Sequence, residues 1–469
     1  MRIILSLAFT FLIACTKQNP SLCCVDEADC ANVGLEEVKG CADGLLCRGN
    51  QCIAEVCASS AECDADAPFC VFVPDGRCQM NCTEDAQCPG FGDEPERTFC
   101  EAGGCVECRQ GMADCSGATP VCGVEGRCVG CTRNDQCESG VCVDDGTCAD
   151  ESEIGHVSPT GLPTNDCSAA MPCQTVENAL AVAPNRPFIL IESGTYTTNA
   201  TIQLRGTRRI IGRGPTRPLL RRSTNGPIVT FSNVGVASNV GLEFLDIGGA
   251  VGPTIETDAG GHGILCPVDA NATISIVESV IRQNQSNGAR VRQCTLKVSR
   301  SEFKQNGVGI ASTDSSVTVD SSQFTSNTGG LNLDAGNYVV TNNFITRNLG
   351  NGIELFLFAG EAPKLEFNTL VDNGGAGFSC SGNSAPMANN IIARNGMDSL
   401  GSCTFPNSVI IASDISPLKF VSPDVTPFDY HIQSGSIAID AAVRTVDQDF
   451  DGDIRSGDTA DIGADELAP

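Results

Sequence analysis

Apolar and polar positions repeat along most of the chain with a period near 22 residues. Asparagine marks the repeat, and successive copies stand 21 to 25 residues apart. An apolar residue precedes each asparagine by three positions, another precedes that one by five, and a glycine-containing turn follows. The marker positions are Asn284, Asn306, Asn327, Asn348, Asn373 and Asn395. Short apolar stretches between turns predict short strands, and the repeat is too short for the crossover helix of a βαβ unit.

This pattern predicts an all-β fold, a right-handed parallel β-helix whose coils hydrogen-bond to one another. Equivalent side chains stack about 4.8 Å apart in such a solenoid, so the asparagines are expected to form a hydrogen-bonded structural ladder. Asparagine also tolerates the left-handed backbone of a sharp corner. A leucine-rich repeat of similar period is the alternative, but no Leu-x-x-Leu-x-Leu pattern recurs.

A cysteine-dense module precedes the repeats, over residues 23–148, and holds 22 of the 29 cysteines. Four-cysteine units recur in it, and each ends in Cys-turn-Cys with glycine in the turn, which favours a tight hairpin. Units this small bury too little apolar surface to fold without crosslinks. We therefore expect disulfide-stapled hairpins, whose connectivity the spacing leaves open.

Zinc is the alternative partner for these cysteines. Cys105 with Cys108, and Cys128 with Cys131, have the Cys-x-x-Cys spacing of zinc knuckles. Each pair, however, spans the boundary between two units. The chain also begins like an exported protein, and disulfides persist in oxidising compartments. The disulfide interpretation is therefore favoured.

The first residues form a signal sequence. The apolar run at 3–11 is too short to span a bilayer, and Leu12-Ile13-Ala14-Cys15 follows it. These four residues resemble the lipobox of bacterial lipoproteins, which implies cleavage before Cys15 and acylation of its thiol. An ordinary secretory peptide is the alternative. Because residue 16 is Thr rather than Asp, the resemblance implies an outer-membrane lipoprotein of the cell envelope or cell surface.

The sequence divides into six segments. They are a lipoprotein signal peptide (1–14), a tether (15–22), the cysteine module (23–148), a linker (149–164), the parallel β-helix (165–430) and an acidic C-terminal cap or tail (431–469). Within the β-helix segment, Val176, Leu180 and Ala183 share one face of a helix predicted over 174–183, before a first strand at 187–191. That helix would cover the open end of the coil.

Two resemblances concern the second half of the chain. Residues 165–430 resemble the pectin-lyase-like β-helix superfamily, and Glu192-Ser-Gly-Thr-Tyr196 is similar to a turn common at the start of such domains. The tail from Tyr430 to Glu466 resembles the ending of bacterial β-helix proteins called choice-of-anchor Q. Here the anchor would be Cys15, at the opposite end from that family's usual anchors.

Cysteines in the β-helix segment are expected to staple it. Cys167 and Cys173 lie in the cap region and are expected to pair there. Cys266 with Cys294, and Cys380 with Cys403, lie one coil apart and are expected to pair as well.

Charge restricts the partners. The chain has 57 Asp and Glu against 29 Lys and Arg, a net charge of -28, which excludes a nucleic-acid binder with a basic face. Seven arginines nevertheless cluster in one stretch: Arg205, Arg208, Arg209, Arg213, Arg217, Arg221 and Arg222. They are a candidate contact for a polyanion, and solvent-facing coil edges are the alternative.

The tail contains a candidate calcium loop. Asp447, Asp449, Asp451 and Asp453 alternate, with Gly452 at the sixth position, and Asp458 falls at the twelfth. This is the oxygen-ligand spacing of a calcium loop, although an EF-hand prefers Glu at the twelfth position. A solvated acidic turn is the alternative. Calcium is the one cofactor that the sequence suggests.

Gly261-His262-Gly263 matches one motif of polygalacturonases. The paired carboxylates that such hydrolases need do not occur in order, so a turn between coils is favoured and no catalytic residue is assigned. Two functions remain. One is a surface-displayed lipoprotein whose rigid rod has a structural, adhesive or glycan-binding role, with a membrane, a polysaccharide or another surface protein as partner. The other is a polysaccharide lyase or glycoside hydrolase acting on acidic polysaccharide.

Overall fold

The computed structural model describes residues 98–102, 104–112, 114–232, 237–253, 257–358, 360–455 and 457–467. Before them it describes Cys82, Asp85, Cys88 and the backbone of four short strands. The predicted lipidation site, Cys15, lies outside the described residues. The chain forms two compact units, one ending at residue 148 and one formed by 149–469 with the short segment 139–141.

The first unit consists of small antiparallel hairpins. The paired strands are Leu45–Arg48 with Gln51–Ala54, Phe69–Val71 with Arg77–Gln79, Phe99–Glu101 with Gly104–Val106, and Val121–Cys122 with Cys128–Val129. A 3₁₀ turn, Asn134–Gln136, and a bridge between Cys142 and Cys148 complete the last repeat. In each pair the two strands carry the two cysteines of a predicted Cys-turn-Cys segment, and these cysteines lie opposite each other.

The three described four-cysteine units share one connectivity, in which the first cysteine bonds the third and the second bonds the fourth. The bonds are Cys82–Cys100 and Cys88–Cys105, then Cys108–Cys122 and Cys115–Cys128, then Cys131–Cys142 and Cys137–Cys148. Their sulfurs form much of the interior of these units. The disulfide-rich fold that the sequence predicts for this region is confirmed.

The second unit is a solenoid of three parallel sheets, named here A, B and C. Sheet A holds Ile154–Val157, Phe188–Glu192, Thr207–Arg213, Asn239–Glu243, Thr273–Val277, Thr295–Ser299 and Lys364–Glu366. Sheet B holds ten strands: Thr195–Thr198, Leu219–Arg222, Asp246–Gly248, Val280–Arg282, Glu302–Lys304, Gln323–Thr325, Phe344–Thr346, Thr369–Val371, Ile391–Ala393 and Val409–Ile411.

Sheet C holds Ile202–Leu204, Val229–Phe231, Ile264–Cys266, Asn287–Arg292, Ile353–Leu357, Ala376–Gly382 and Met397–Gly401. Two 13-residue strands, Val308–Asp320 and Gly329–Thr341, run from sheet C into sheet A. Every strand pairs in parallel with its equivalent one coil away. The result is a stack of about ten coils, each visiting sheets A, B and C in turn.

The solenoid begins earlier than predicted. Ile154–Val157 pairs with Phe188–Glu192 and is the first strand of sheet A, although the sequence analysis assigned 149–164 to a linker. A 3₁₀ turn, Glu151–Glu153, precedes it. The predicted helix is present as Val176–Val182 (α1), with Thr175 as N-cap, and it contacts the first strands of sheets A and C. Helix α1 buries Val176 and Ala179 in the interior of the solenoid.

Disulfides cross-link the solenoid at the predicted positions. Cys167 bonds Cys173 beside α1, Cys266 bonds Cys294, and Cys380 bonds Cys403. Inside, aliphatic side chains stack coil on coil, and Phe303 and Phe324 stack with ring centroids 5.0 Å apart.

The marker asparagines form a buried ladder at the corner between sheets B and C. Each Nδ2 donates to Oδ1 of the next asparagine at 2.9–3.0 Å, from Asn284 to Asn395. The same oxygen accepts the backbone N–H of the previous asparagine, as Asn306 Oδ1 does from Asn284. Buried amides are therefore bonded on both sides, which avoids the desolvation cost of unpaired groups.

A second ladder runs along the corner between sheets A and B. Its members are Ser279, Ser301, Ser322, Asn343, Asn368, Asn390 and Ser408, and each side-chain oxygen accepts the backbone N–H of the preceding member. Serine fills the first three rungs and the last one, and asparagine fills the three between them. Both corners are thus hydrogen-bonded along the axis of the solenoid.

The last coils carry an extra layer, formed by residues 412–467. It contains a 3₁₀ turn, Ser416–Leu418, and the strand pairs Phe420–Ser422 with Asp429–Ile432 and Ala442–Val443 with Thr459–Ala460. This layer, called the tail here, packs on the outer face of sheet B and forms a second apolar core with it. The parallel coils therefore end at residue 411, whereas the sequence analysis extended them to 430.

In the described part of the chain, no helix is long and apolar enough to cross a membrane.

Candidate functional site

The outer faces of sheets A and B carry ion pairs between neighbouring coils. Arg209 Nε lies 2.6 Å from a carboxylate oxygen of Glu243 on sheet A. Arg282 lies 2.9 Å from Asp246 on sheet B. Pairs near the surface contribute little to stability, about 0–1 kcal/mol each. Their effect here is that these charged side chains of the solenoid are paired within the chain.

The seven clustered arginines differ in their surroundings, and three of them are bonded to neighbouring groups of the solenoid. Arg208 is buried, and its guanidinium donates to backbone carbonyls, including Arg186 at 2.8 Å. Burial lowers the pKa of Arg208. Arg209 is engaged by Glu243, and Arg222 donates to the carbonyl of Pro227 at 2.9 Å. These three hold the coils together.

The other four arginines are exposed and lie on different parts of the coil. Arg205 follows a strand of sheet C, Arg213 ends a strand of sheet A, and Arg221 lies on sheet B. Arg217 stacks over Phe244 with 4.9 Å between guanidinium carbon and ring centroid. A stretch that is continuous in sequence is spread around the coil because one coil takes little more than twenty residues.

His262 is a structural residue of the turn before sheet C. It is fully buried, Nε2 donates to the carbonyl of Thr257 at 2.9 Å, and Nδ1 accepts the backbone N–H of Asn287 at 3.3 Å. Both ring nitrogens hydrogen-bond to backbone groups. The Gly-His-Gly segment is therefore a turn between coils, which is the interpretation that the sequence favours.

The five aspartates of the predicted calcium loop do not converge. Asp449 is buried, and its carboxylate accepts the backbone N–H groups of Asp451, Asp453 and Glu466. Asp447 is largely exposed, with its side chain 91% accessible. Asp449 closes the turn itself, because its oxygens are bonded to the loop backbone. Asp453 and Asp458 are exposed.

Asp451 instead turns toward a histidine in a neighbouring segment of the tail. His431 Nε2 lies 3.0 Å from Asp451 Oδ2, and His431 Nδ1 lies 2.5 Å from Asp429 Oδ1. Asp465 completes the group, and one ligand atom each from His431, Asp451 and Asp465 lie within 4.8 Å of one another. This group is called the His431 cluster.

Apolar packing encloses the His431 cluster on one side. The imidazole lies edge-on to Phe344 of sheet B and Phe450 of the tail, with centroids 4.9 and 5.9 Å away. Burial raises the pKa of Asp465 to about 6, although its carboxylate accepts the backbone N–H of Ile432 at 2.6 Å. Burial alone would lower the pKa of His431, but the bond to Asp429 and the nearby carboxylates raise it.

Two further polar groups hold the tail to the solenoid. Tyr430 Oη donates to Asp372 at 2.5 Å, and Arg394 donates to the same carboxylate and pairs with Asp424 at 2.7 Å. That ion-paired setting raises the pKa of Arg394, with the hydrogen bond to Asp372 as the largest cause, while burial raises the pKa of Tyr430. This contact ties the strand that carries His431 to a corner of the coils.

Arg455 is the second anchor and is fully buried. It donates to Glu466 at 2.8 Å and to the carbonyls of Asp461 and Gly463, and it lies over the Phe367 ring at 4.5 Å. Burial lowers the pKa of Arg455. A buried cation of this kind is tolerated when its carboxylate partner and its hydrogen bonds compensate for lost solvation.

A family model described as "Right handed beta helix region" matches residues 255–412. The solenoid is a right-handed parallel β-helix. The predicted fold class is thereby confirmed for the second unit. The matched residues run from the coil that contains His262 to the last strand of sheet B, and they stop where the tail begins.

Solved structures with similar coils include two lyases and one epimerase. The crystal structure of pectate lyase Pel9A is 16% identical, with a TM-score of 0.46, and covers 68% of this chain and 100% of that chain. A rhamnogalacturonan lyase is 12% identical, with a TM-score of 0.38, and the match covers 65% of this chain and 95% of that chain. The A-module of mannuronan C-5 epimerase AlgE4 from Azotobacter vinelandii is 13% identical, with a TM-score of 0.31. The match covers 48% of this chain and 86% of that chain.

At these identities and TM-scores the likeness carries no argument about activity. No curated protein matches the chain. The evidence for function therefore lies in the residues themselves.

Sequence reasoning missed the His431 cluster. No motif surrounds His431 in the sequence, and Asp429 and Asp465 stand 36 residues apart with no shared motif. A local signal did exist, since Asp429 and His431 alternate on one strand and so point to the same side. The approach of Asp465 depends on how the tail folds back, which spacing alone does not reveal.

Proposed function

We propose that this chain is an exported envelope lipoprotein, acylated at Cys15, that displays a rigid β-helical rod with a structural, adhesive or glycan-binding role. The observation that carries the proposal is the state of the cysteines. All eighteen cysteines whose side chains the structure describes form nine disulfides, from Cys82–Cys100 to Cys380–Cys403. Such bonds form and persist outside the reducing cytoplasm, in agreement with the signal sequence and lipobox.

The rod itself supports a role in display or binding. Its coils are joined by two side-chain ladders and two disulfides, and its outer charges pair between coils. These features stiffen a long surface. A polysaccharide or another surface protein is the partner class that such an extended face suits.

The lipid anchor is tested by replacing the acylated thiol. Cys15→Ser should abolish labelling by palmitate and move the protein from the membrane fraction to the soluble fraction, because the acyl chains supply the membrane affinity. Thr16→Ser is the matched control and should remain acylated and membrane-bound. If Cys15→Ser still floats with membrane vesicles, the lipoprotein assignment is wrong.

The binding role is tested against the enzymatic alternative. Purified chain incubated with polygalacturonate and calcium should give no increase in unsaturated uronide absorbance, because cleavage needs acid and base groups within hydrogen-bond reach of one bond. A known pectate lyase is the positive control. Turnover that disappears on Arg213→Ala or Arg221→Ala, two of the exposed arginines, would contradict the proposal and establish a lyase.

A further inference from the structure

Three segments of the tail meet at His431. The strand Asp429–Ile432 supplies His431 itself, the acidic loop supplies Asp451, and the final segment supplies Asp465. Asp465 is only 8% exposed, and the Nε2 atom of His431 is shielded from solvent. The cluster is thus enclosed on the side of Asp465 and open to solvent on the side of Asp451, whose side chain is 52% exposed.

The hydrogen bonds of His431 leave one ring nitrogen without a hydrogen-bond partner. Asp429 Oδ1 accepts a hydrogen bond from His431 Nδ1. Because a carboxylate has no proton to donate, the hydrogen in this bond belongs to Nδ1. Nε2 lies 3.0 Å from Asp451 Oδ2 and is shielded from solvent. A cation bound by both atoms would make this contact favourable.

Local charge points the same way. Asp429, Asp451 and Asp465 are three carboxylates around a single imidazole, and Arg455 is already bonded to Glu466. A divalent cation bound among these groups would offset most of their negative charge.

We propose that His431 Nε2, Asp451 and Asp465 bind a divalent transition-metal cation, for which zinc is the best-suited probe. Zinc is bound by imidazole nitrogen and carboxylate oxygen, and three protein ligands leave a position for water. Asp429 supplies the outer partner that fixes the tautomer and orientation of the ligating histidine, an arrangement common at metal sites.

This site differs from the calcium loop predicted from sequence. Calcium and magnesium favour all-oxygen ligand sets, while an imidazole favours zinc and its neighbours. The ion would join three segments of the tail that are distant in sequence, so its consequence is to hold the tail itself together. The inference does not depend on the lipid anchor or on the partner of the rod.

The test uses the full chain, freed of metal by EDTA without reductant so that its disulfides stay intact. Equilibrium dialysis against zinc, followed by elemental analysis, should find one zinc per chain. His431→Gln and Asp465→Asn should lose it, and Asp429→Asn should weaken it by about 10–100-fold, as expected for an outer partner. Asp447→Asn, an exposed aspartate of the same loop, is the matched control and should bind like the wild type.

A spectroscopic readout guards against misfolded variants. Cobalt added to the metal-free wild type and to Asp447→Asn should give visible bands of a nitrogen- and oxygen-ligated ion, and zinc should raise their melting temperature. Asp451→Asn, half-exposed and therefore tolerant of change, should fold and show neither effect. The absence of stoichiometric zinc in the wild type, or equal zinc binding in His431→Gln, would overturn the proposal. So would calcium binding that Asp447→Asn removes and His431→Gln leaves intact.

Discussion

At the scale of single residues, each corner of the β-helix turns on one residue with a left-handed backbone. At the corner between sheets B and C this residue directly precedes the ladder asparagine, as Gln305 (φ 58°) precedes Asn306 and Arg347 (φ 57°) precedes Asn348. The asparagine was expected to take that conformation itself. It serves as a hydrogen-bonding rung, and ordinary side chains bear the strain of about 1–2 kcal/mol per residue.

The asparagine ladder should make one buried amide costly to remove. Asn327→Ala removes the acceptor of both the side-chain amide and the backbone N–H of Asn306, and it removes one of the two donors to Asn348 Oδ1. We expect a loss of about 2–4 kcal/mol in the free energy of unfolding, since each unsatisfied buried group costs about 1–3 kcal/mol. Urea denaturation of the disulfide-intact protein measures it.

Asn332→Ala is the control for that experiment, because Asn332 is a half-exposed residue on sheet C. It should change stability by no more than about 0.5 kcal/mol. Equal effects of the two substitutions would show that the ladder does not stabilise the coils.

The same scale explains what sequence could and could not predict of the candidate site. The ladder was predictable, because its members recur with a fixed period. His431, Asp451 and Asp465 recur with none, and the apparent calcium motif drew attention to Asp449, whose oxygens serve the backbone. A motif specifies spacing, whereas a ligand set depends on where side chains are directed after folding.

At the scale of elements, the tail is best understood through the strands beneath it. Glu302–Lys304 and Gln323–Thr325 bury only their central residue, whereas Phe344–Thr346, Thr369–Val371 and Ile391–Ala393 are buried on both faces. Strands buried on both faces are continuous apolar runs. The change in sheet B from alternating to continuous apolar residues was therefore a readable signal that a further layer covers the last coils.

Other element boundaries carried weaker signals. Ile154–Val157 contains Gly155 and His156 and lies outside the repeat, so nothing in its spacing marked it as a strand. Its pairing with Phe188–Glu192 supplies the backbone bonds that define it. By contrast, helix α1 was predictable because its apolar positions follow helical spacing.

The tail should detach as a unit when its core is weakened. Leu418 is fully buried in the tail core, and Leu418→Ala should cost about 2–5 kcal/mol, as for other buried leucines. Hydrogen exchange followed by mass spectrometry should show faster exchange across 412–467 and unchanged exchange across 239–304.

Val421→Ala changes a neighbouring tail residue that is 45% exposed, and its exchange pattern should match the wild type. Uniform acceleration along the whole solenoid in Leu418→Ala would contradict an independently docked tail.

At the scale of the whole molecule, the two units achieve stability by different means. The cysteine units use crosslinks in place of an apolar interior, and the repeated first-to-third, second-to-fourth pattern closes each unit on itself. The β-helix has a continuous apolar interior with three disulfides. Sequence revealed this division, because cysteine density and repeat period change sharply near residue 150, but it left the connectivity open.

The docking of the tail has a mechanical consequence. A coil in a solenoid usually touches only its two neighbours, so any junction can part alone. Here tail segments bond to Ser321, Asn342, Glu366 and Asn389, which lie at or beside the corner between sheets A and B in four successive coils. Separating any two of those coils must therefore also break the hydrogen bonds of the tail that bridges them. Under tension the last coils would share load in parallel and yield together, while the earlier coils could separate one junction at a time.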